Sequence, residues 1–251
     1  MTVYFIGAGP GAVDLITVRG QRLLQRCEVC LYAGSIMPTD LLAECPADAR
    51  IVNTGPLTLD QIIEEIAAAD AAGHEVARLH SGDPGLYSAI AEQCRLLDAR
   101  GISYEIVPGV PAYAAAAAAL GRELTVPGVA QTVILTRVAT LSSAMPDGED
   151  LTTLAAHGAT LVIHLASHRI DDIVPQLLAG GYRPDTPAAV VAFASWPQEV
   201  VLRGTLADIA GQMHDAAITR TAVIIVGDVL AAEGFTDSYL YSSGRTRGDL
   251  H

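Results

Sequence analysis

The feature that most constrains this chain is an alternation repeated along its first half: a short apolar run, a glycine- or proline-rich loop, then helical periodicity. Val3 to Ile6 leads into Gly7-Ala8-Gly9-Pro10-Gly11, followed by an imperfect helical face of Leu15, Val18, Leu23 and Leu24, with Thr17 as the expected N-cap. "VCLYAGS" ends on Tyr32-Ala33-Gly34-Ser35, and "MPTDLLAEC" reads as a short helix capped by Thr39 or Asp40. "HEVARLHSGDPG" ends on Gly82-Asp83-Pro84-Gly85, before a helix predicted over Leu86 to Arg100 and stopped by Gly101. "SYEIVPG" runs into Pro108-Gly109-Val110-Pro111 and a helix so poor in bulk, "VPAYAAAAAALG", that neighbouring backbone can approach it closely. The clearest helix is "LTLDQIIEEIAAADAAG", where Leu59, Ile62, Ile63 and Ile66 share a face and Gly73 closes it. This order predicts a mostly parallel sheet with helices on both faces.

The second half changes character. Gln131 to Arg137 is a β-branched strand, "MPDGEDLTTLAAHG" a loop and helix, "ATLVIHLAS" a strand, and "RIDDIVPQLLAGG" a helix ending on glycines. The runs flanking Trp196-Pro197 read as an antiparallel hairpin, with a helix from about Thr205 and a last strand in "TAVIIVGDVL". The fold class is therefore α/β with two α/β domains: residues 1–122 with the glycine loops, residues 123–232 with a mixed sheet, and a polar tail over 233–251.

Composition narrows the partners. The chain has 251 residues, 51% of them hydrophobic, 17% charged and 5% aromatic, which supports buried sheets and a large core. A net charge of -13 without a dense Lys/Arg run argues against nucleic acid and anionic membrane as partners. Only Met1 and Thr2 precede the first strand, no apolar run reaches membrane-spanning length, and a reducing cytoplasm is the expected location. Cys27 and Cys30 form a lone CxxC between a helix end and a strand start; with Cys45 and Cys94 they are expected as core or near-core thiols rather than a metal or redox site. His80, His157, His164 and His168 are too scattered for a metal set.

The loops carry the functional signal. Gly7 to Gly11 is G-x-G-P-G, which departs from the dinucleotide fingerprint, and Pro10 removes a backbone donor that a phosphate nest would use. Ligands gather at the carboxyl ends of strands in such sheets, so loops at equivalent places point to a bound small molecule. Each residue also has a plain structural role open to it: Asp83 as a helix cap, Ser35 as a cap, the glycines as tight turns.

Taken together, "VYFIGAGPGAVDLITVRG", "RLHSGDPGLYS", "EIVPGVPAYAAAAAALG", "VILTR", "FASWPQEVVLRGTL" and "AVIIVGDV" resemble the tetrapyrrole (corrin and porphyrin) methylases, from about Val3 to Val229. Within that family, "LYAGSIMP" resembles the loop of members that methylate C11 of precorrin-4. The resemblance implies the tetrapyrrole methylase fold, that of the class III S-adenosylmethionine-dependent methyltransferases, as a homodimer with the cofactor in the cleft between the domains. It implies cofactor contacts at Pro10, Ser81, Gly82, Asp83, Leu86, Pro111, Ala112, Leu165, Ala194, Thr221 and Ala222. Gly9, Gly11, Tyr32, Ala33, Gly34, Ser35 and Arg137 are expected to meet the tetrapyrrole. Two positions depart from the family pattern: Pro111 where relatives often carry Ser or Thr, and Leu165 where many carry Met.

The chemistry that this implies asks little of side chains, because the sulfonium methyl is already activated and no metal is required. Asp14 is the residue expected to orient pyrrole N–H groups or help remove a proton, with helix capping as its alternative. Arg19, Arg22, Arg137 and Arg169 are the cations available to substrate carboxylates. The expected reaction is methyl transfer to C11 of precorrin-4, giving precorrin-5 in cobalamin biosynthesis. Transfer to another tetrapyrrole such as uroporphyrinogen III or cobalt-precorrin-4, diphthine synthase-like protein methylation, and a non-enzymatic S-adenosylmethionine-binding module remain open.

Overall fold

The structure, a computed structural model, describes residues 1–34, 37–139, 143–235 and 237–238. Ser35 and most of the tail expected over 233–251 lie outside the described residues. The chain forms two compact units. The first comprises Met1–Ala115 with Phe193–Gln198; the second comprises Ala116–Ala192 and the chain from Glu199 onward. The first unit thus ends inside a helix, ahead of the boundary expected at 122, and takes in a short segment from the second half.

In the first unit, strands β1 (Thr2–Gly7), β2 (Val29–Tyr32), β3 (Arg50–Asn53), β4 (Val76–His80) and β5 (Ser103–Val107) form one sheet in the order β3-β2-β4-β1-β5. Every pair in it is parallel, with Val3 opposite both Val76 and Tyr104. Alternation along β1 sends Val3 and Phe5 to one face and Tyr4 and Ile6 to the other. The first face packs with Leu31, Ile63, Ile66 and Leu97; the second packs with Leu24, Cys30, Leu41 and Leu79. Burying a side chain such as Ile63 contributes about 1.5–3 kcal/mol, so two filled faces account for the stability of a parallel sheet.

Helix α1 (Val18–Leu24) starts where expected, because the Thr17 hydroxyl accepts the Gly20 N–H at 3.1 Å. Helix α2 (Leu59–Ala71) opens on a capping box: Thr58 Oγ1 accepts from Gln61 N at 3.3 Å, and Gln61 Oε1 accepts from Thr58 N at 2.9 Å. Helix α3 spans Ala91–Arg100, later than the predicted start at Leu86, and ends on Gly101 at φ 67. The delay has a backbone cause: Tyr87 and Ala89 sit at φ 53 and 50, which no helix accommodates. The stretch read as a capped helix after "MPTD" is a 3₁₀ turn, Thr39–Glu44, with no side-chain cap.

Helix α4 (Ala112–Leu120) contributes to both units. The second unit contains β6 (Val133–Arg137), α5 (Leu151–Ala155), β7 (Thr160–His164), α6 (Ile170–Ala179), β8 (Pro187–Ala192), β9 (Val200–Thr205), α7 (Ile209–Asp215) and β10 (Ala222–Val226). Its sheet runs β6-β7-β10-β8-β9. β6 and β7 are parallel, and the other pairs are antiparallel, including the expected hairpin, in which Pro187 faces Thr205 and Ala192 faces Val200. Thr205 belongs to β9, so the last helix begins later than the expected Thr205, at Ile209.

Candidate functional site

β4, β1 and β5 are neighbours and run the same way, so the loops that follow them share one edge of the first sheet. Gly9 N–H donates to Gly82 O at 3.2 Å and Gly82 N–H returns to Gly9 O at 2.8 Å, pairing the first two loops. The third loop presses against both. A Cβ on Gly109 would lie 2.1 Å from Gly82 O, and one on Gly7 would lie 2.5 Å from Gly109 Cα. Only glycine permits three backbones to meet at this distance.

Asp83 locks the arrangement. Its Oδ2 accepts the Gly109 N–H at 2.7 Å and its Oδ1 accepts the Gly85 N–H at 2.7 Å. Ser88 Oγ donates to Asp83 O at 3.0 Å, folding the following strained residues back onto the turn. Asp83 therefore ties loops together instead of capping α3, whose N-cap position is Ile90. Ser81, Gly82, Leu86 and Pro111 belong to these same loops, and Ala112 opens α4 directly after the third. None of residues 7–12, 81–90 and 108–112 is Lys or Arg. A phosphate ligand lacks its usual cations here, whereas a cationic sulfonium with a nucleoside attached suits small side chains, close backbone and an acidic residue.

The segment Phe193–Gln198 bears on the first loop. Trp196 Nε1–H donates to Pro10 O at 2.9 Å, Ser195 Oγ accepts the Ala12 N–H at 3.0 Å, and the indole covers Gly11 so closely that a Cβ there would lie 2.1 Å from Trp196 Cδ1. Phe193 and Ser195, on either side of Ala194, have φ 50 and 66. Asp14 lies exposed in a 3₁₀ turn, Val13–Leu15, and the capping alternative does not apply to it, because Thr17 caps α1.

At the end of β2, Tyr32 O accepts both the Thr54 N–H at 2.7 Å and Thr54 Oγ1–H at 3.1 Å. Asn53 Oδ1 accepts from Gly34 N at 3.3 Å and Gly55 N at 2.9 Å, and Ala33 and Gly34 are exposed. In the second unit, Leu165 follows β7 and Thr221 precedes Ala222 at the start of β10. These strands are antiparallel, so Leu165, Thr221 and Ala222 lie at one end of that sheet. Leu165 and Thr221 both have φ 53, and Leu165 is 52% exposed. Left-handed non-glycine residues cost about 1–3 kcal/mol each and concentrate at ligand sites.

The matching of this chain to known families is specific. The sequence pattern of the Tetrapyrrole (Corrin/Porphyrin) Methylases matches residues 2–210. The chain belongs to this family. A precorrin-4 C(11)-methyltransferase of Mycobacterium tuberculosis is 78% identical over 98% of this chain and 98% of its own. The X-ray structure of a cobalt precorrin-4 methyltransferase, a cobalamin biosynthetic enzyme, superposes with a TM-score of 0.89 at 41% identity, covering 91% of this chain and 95% of that one. A uroporphyrin-III C-methyltransferase from Thermus thermophilus, solved with S-adenosyl homocysteine, superposes with a TM-score of 0.77 at 29% identity, covering 92% and 99%. The fold is that of the tetrapyrrole methylases, and the chain is a methyltransferase.

Three of the four arginines expected to face substrate carboxylates have partners on the methylase itself. The Arg137 guanidinium donates to Val138 O at 3.0 Å, Ser143 O at 3.2 Å, Ser143 Oγ at 2.7 Å and Ala144 O at 3.2 Å, so it holds its own loop. Arg169 pairs with Asp172 at 2.5 Å and Arg19 with Glu105 at 3.7 Å, while Arg22 lies exposed in the last turn of α1. The notable cation lies outside the expected set. Arg78 on β4 is 5% exposed; its Nη1 donates to Thr54 Oγ1 at 2.9 Å and its Nε to Gln93 Oε1 at 3.2 Å. Burial pushes its pKa down to about 10. Since Gln93 Nε2 in turn donates to Ala89 O at 2.9 Å, this network links the Tyr32 loop to the strained residues after Asp83. A charged residue inside the apolar run "VARLH" was the available signal.

Two of the four thiols lie in the core. Cys27 and Cys30 are buried, all four cysteines are free, and burial pushes the Cys27 thiol up to about 12. Among the described residues, no three His, Cys, Asp or Glu side chains gather as a metal set.

Proposed function

We infer that this protein transfers a methyl group from S-adenosylmethionine to C11 of precorrin-4, giving precorrin-5 in cobalamin biosynthesis. The observation that carries the reading is 78% identity over nearly the full length to a precorrin-4 C(11)-methyltransferase. The cobalt-free substrate is favoured because relatives named for cobalt precorrin-4 are much more distant, at 44% and 41% identity. The proposal includes a homodimer, as the family resemblance implies, and a reducing cytoplasm, as the free thiols suggest; no helix among the described residues is long and apolar enough to cross a membrane.

S-adenosylmethionine, when bound, supplies an activated methyl whose bonding pair returns to sulfur as the new carbon–carbon bond forms. This chain's part is to hold and orient. Pro10, Ser81, Gly82, Leu86, Pro111 and Ala112 line the loop edge proposed to hold the cofactor, and Asp83 fixes that edge through Gly85 and Gly109. Leu165, Ala194, Thr221 and Ala222 complete the proposed cofactor set, all four within or beside the strained backbone noted above. Gly9, Gly11, Tyr32, Ala33, Gly34 and Arg137 are proposed to meet the tetrapyrrole, Arg137 from the loop that its guanidinium braces. Asp14 is the exposed carboxylate proposed to orient pyrrole N–H groups or accept the proton released from the ring. In-line alignment of this kind contributes up to about 7–11 kcal/mol of barrier reduction.

The experiment is methyl transfer from labelled S-adenosylmethionine, with precorrin-4 and uroporphyrinogen III assayed in parallel. Label entering precorrin-4 alone is expected. Label entering uroporphyrinogen III instead would keep the family and overturn the substrate.

A further inference from the structure

We propose that Trp196 is a positioning residue for the reaction: it acts as a clamp on the first glycine loop, setting where Pro10, Gly11 and Ala12 lie. Contacts from two neighbouring side chains converge on three consecutive residues: the indole N–H on Pro10 O at 2.9 Å, the indole ring against Gly11, and Ser195 Oγ on the Ala12 N–H at 3.0 Å. Pro10 contributes no N–H of its own; on the strand side the loop is held by Ala8 N–H on His80 O at 2.8 Å and by the Gly9–Gly82 pair, and on the far side by Leu15 N–H on Ala12 O at 3.1 Å. The clamp is itself held in an uncommon conformation, with Phe193 at φ 50 and Ser195 at φ 66. Local strain maintained around a contact of this kind is characteristic of a site where position matters. The residues joined are 186 apart in sequence, so the contact is tertiary and not a turn preference.

The functional half of this inference rests on the reading that the first loop meets cofactor and tetrapyrrole; the clamp itself does not. Its test separates the two. Amide hydrogen exchange is compared between wild type and Trp196→Phe, which keeps a ring over Gly11 and loses the donor, with Ser195→Ala as the second variant. Loss of one loop-fixing bond is expected to speed exchange of the Ala12 amide and its loop neighbours about tenfold, leaving β1 and β4 unchanged. Unchanged loop exchange in both variants would overturn the clamp, whatever the activity.

The second arm is kinetic. Trp196→Phe is expected to lower kcat for methyl transfer by about 10- to 100-fold with a small change in KM for S-adenosylmethionine, because misplacement costs alignment more than binding. Trp196 is the only tryptophan in the chain, so emission change on saturation with S-adenosyl homocysteine reports this residue alone. Faster loop exchange with unchanged kcat and unchanged emission would overturn the positioning role while leaving the clamp. A wild type that methylates no tetrapyrrole would overturn the functional reading and leave the exchange result standing.

Discussion

Asp83 and Gly109, which follow different strands, are joined by a carboxylate-to-amide hydrogen bond of 2.7 Å. Because the same carboxylate also holds Gly85, its removal frees two backbone donors at once. Asp83→Ala is expected to cost about 1.5–3 kcal/mol of stability, since charge-assisted bonds lie in that range. It is also expected to raise the KM for S-adenosylmethionine about tenfold or more, with Asp83→Asn intermediate. Urea unfolding and initial-rate kinetics check the pair; an unchanged KM in the alanine variant would remove Asp83 from the site.

Glycine substitutions separate close approach from helix propensity. Gly109→Ala drives a Cβ to 2.1 Å from Gly82 O and is expected to destabilise by about 3 kcal/mol. Gly211→Ala, inside α7 with nothing within 4 Å of the new Cβ, is expected to stabilise by about 0.5–1 kcal/mol. Denaturant midpoints of the two variants should move in opposite directions.

Much of this organisation was legible in the sequence. The apolar run Val3 to Ile6 and the capping signal at Thr17 mark a buried strand and a helix start, because both arise from residue type along a short stretch. β3 gave no such signal: Arg50 to Asn53 is an exposed edge, so no apolar pattern marks it. The late start of α3 was hidden because left-handed Tyr87 and Ala89 are conformations their residue types do not announce. The glycine loops were visible as loops, but their mutual contact was not. Trp196 was hidden for the same reason: its partner Pro10 is brought to it only by the tertiary fold.

Arg78 is buried, and among the described residues its ion pairs include no carboxylate; Thr54 and Gln93 are its side-chain acceptors. A buried charge without a counter-charge depends on its hydrogen bonds. Gln93→Leu leaves the Arg78 Nε without its acceptor and removes the donor to Ala89 O, and is expected to destabilise by about 1–3 kcal/mol. Thermal melts of the variant against wild type at pH 7 check this, and an unchanged midpoint would contradict it.

His80 gives the acid limb of stability a defined cause. It is buried, its Nε2 has no hydrogen-bond partner among the described residues, and burial with the neighbouring Arg78 charge holds its pKa down to about 3. Burial holds His164 down to about 4. Below about 6.5 the unfolded chain takes up these protons and the folded chain does not. Stability is therefore full above that pH and falls as pH is lowered toward the folded values, by up to about 1.4 kcal/mol per pH unit for each histidine. His80→Leu should show a shallower loss between pH 6.5 and 4 in urea unfolding; identical slopes would contradict this cause.

The most direct test of the account is the position of the transferred methyl group. The protein would be incubated with precorrin-4 and S-adenosylmethionine carrying a ¹³C-labelled methyl, and the product carbon assigned by NMR. One new labelled methyl at C11 is the result expected. A labelled methyl at any other ring carbon, or none at all in a protein that binds the cofactor, would contradict it.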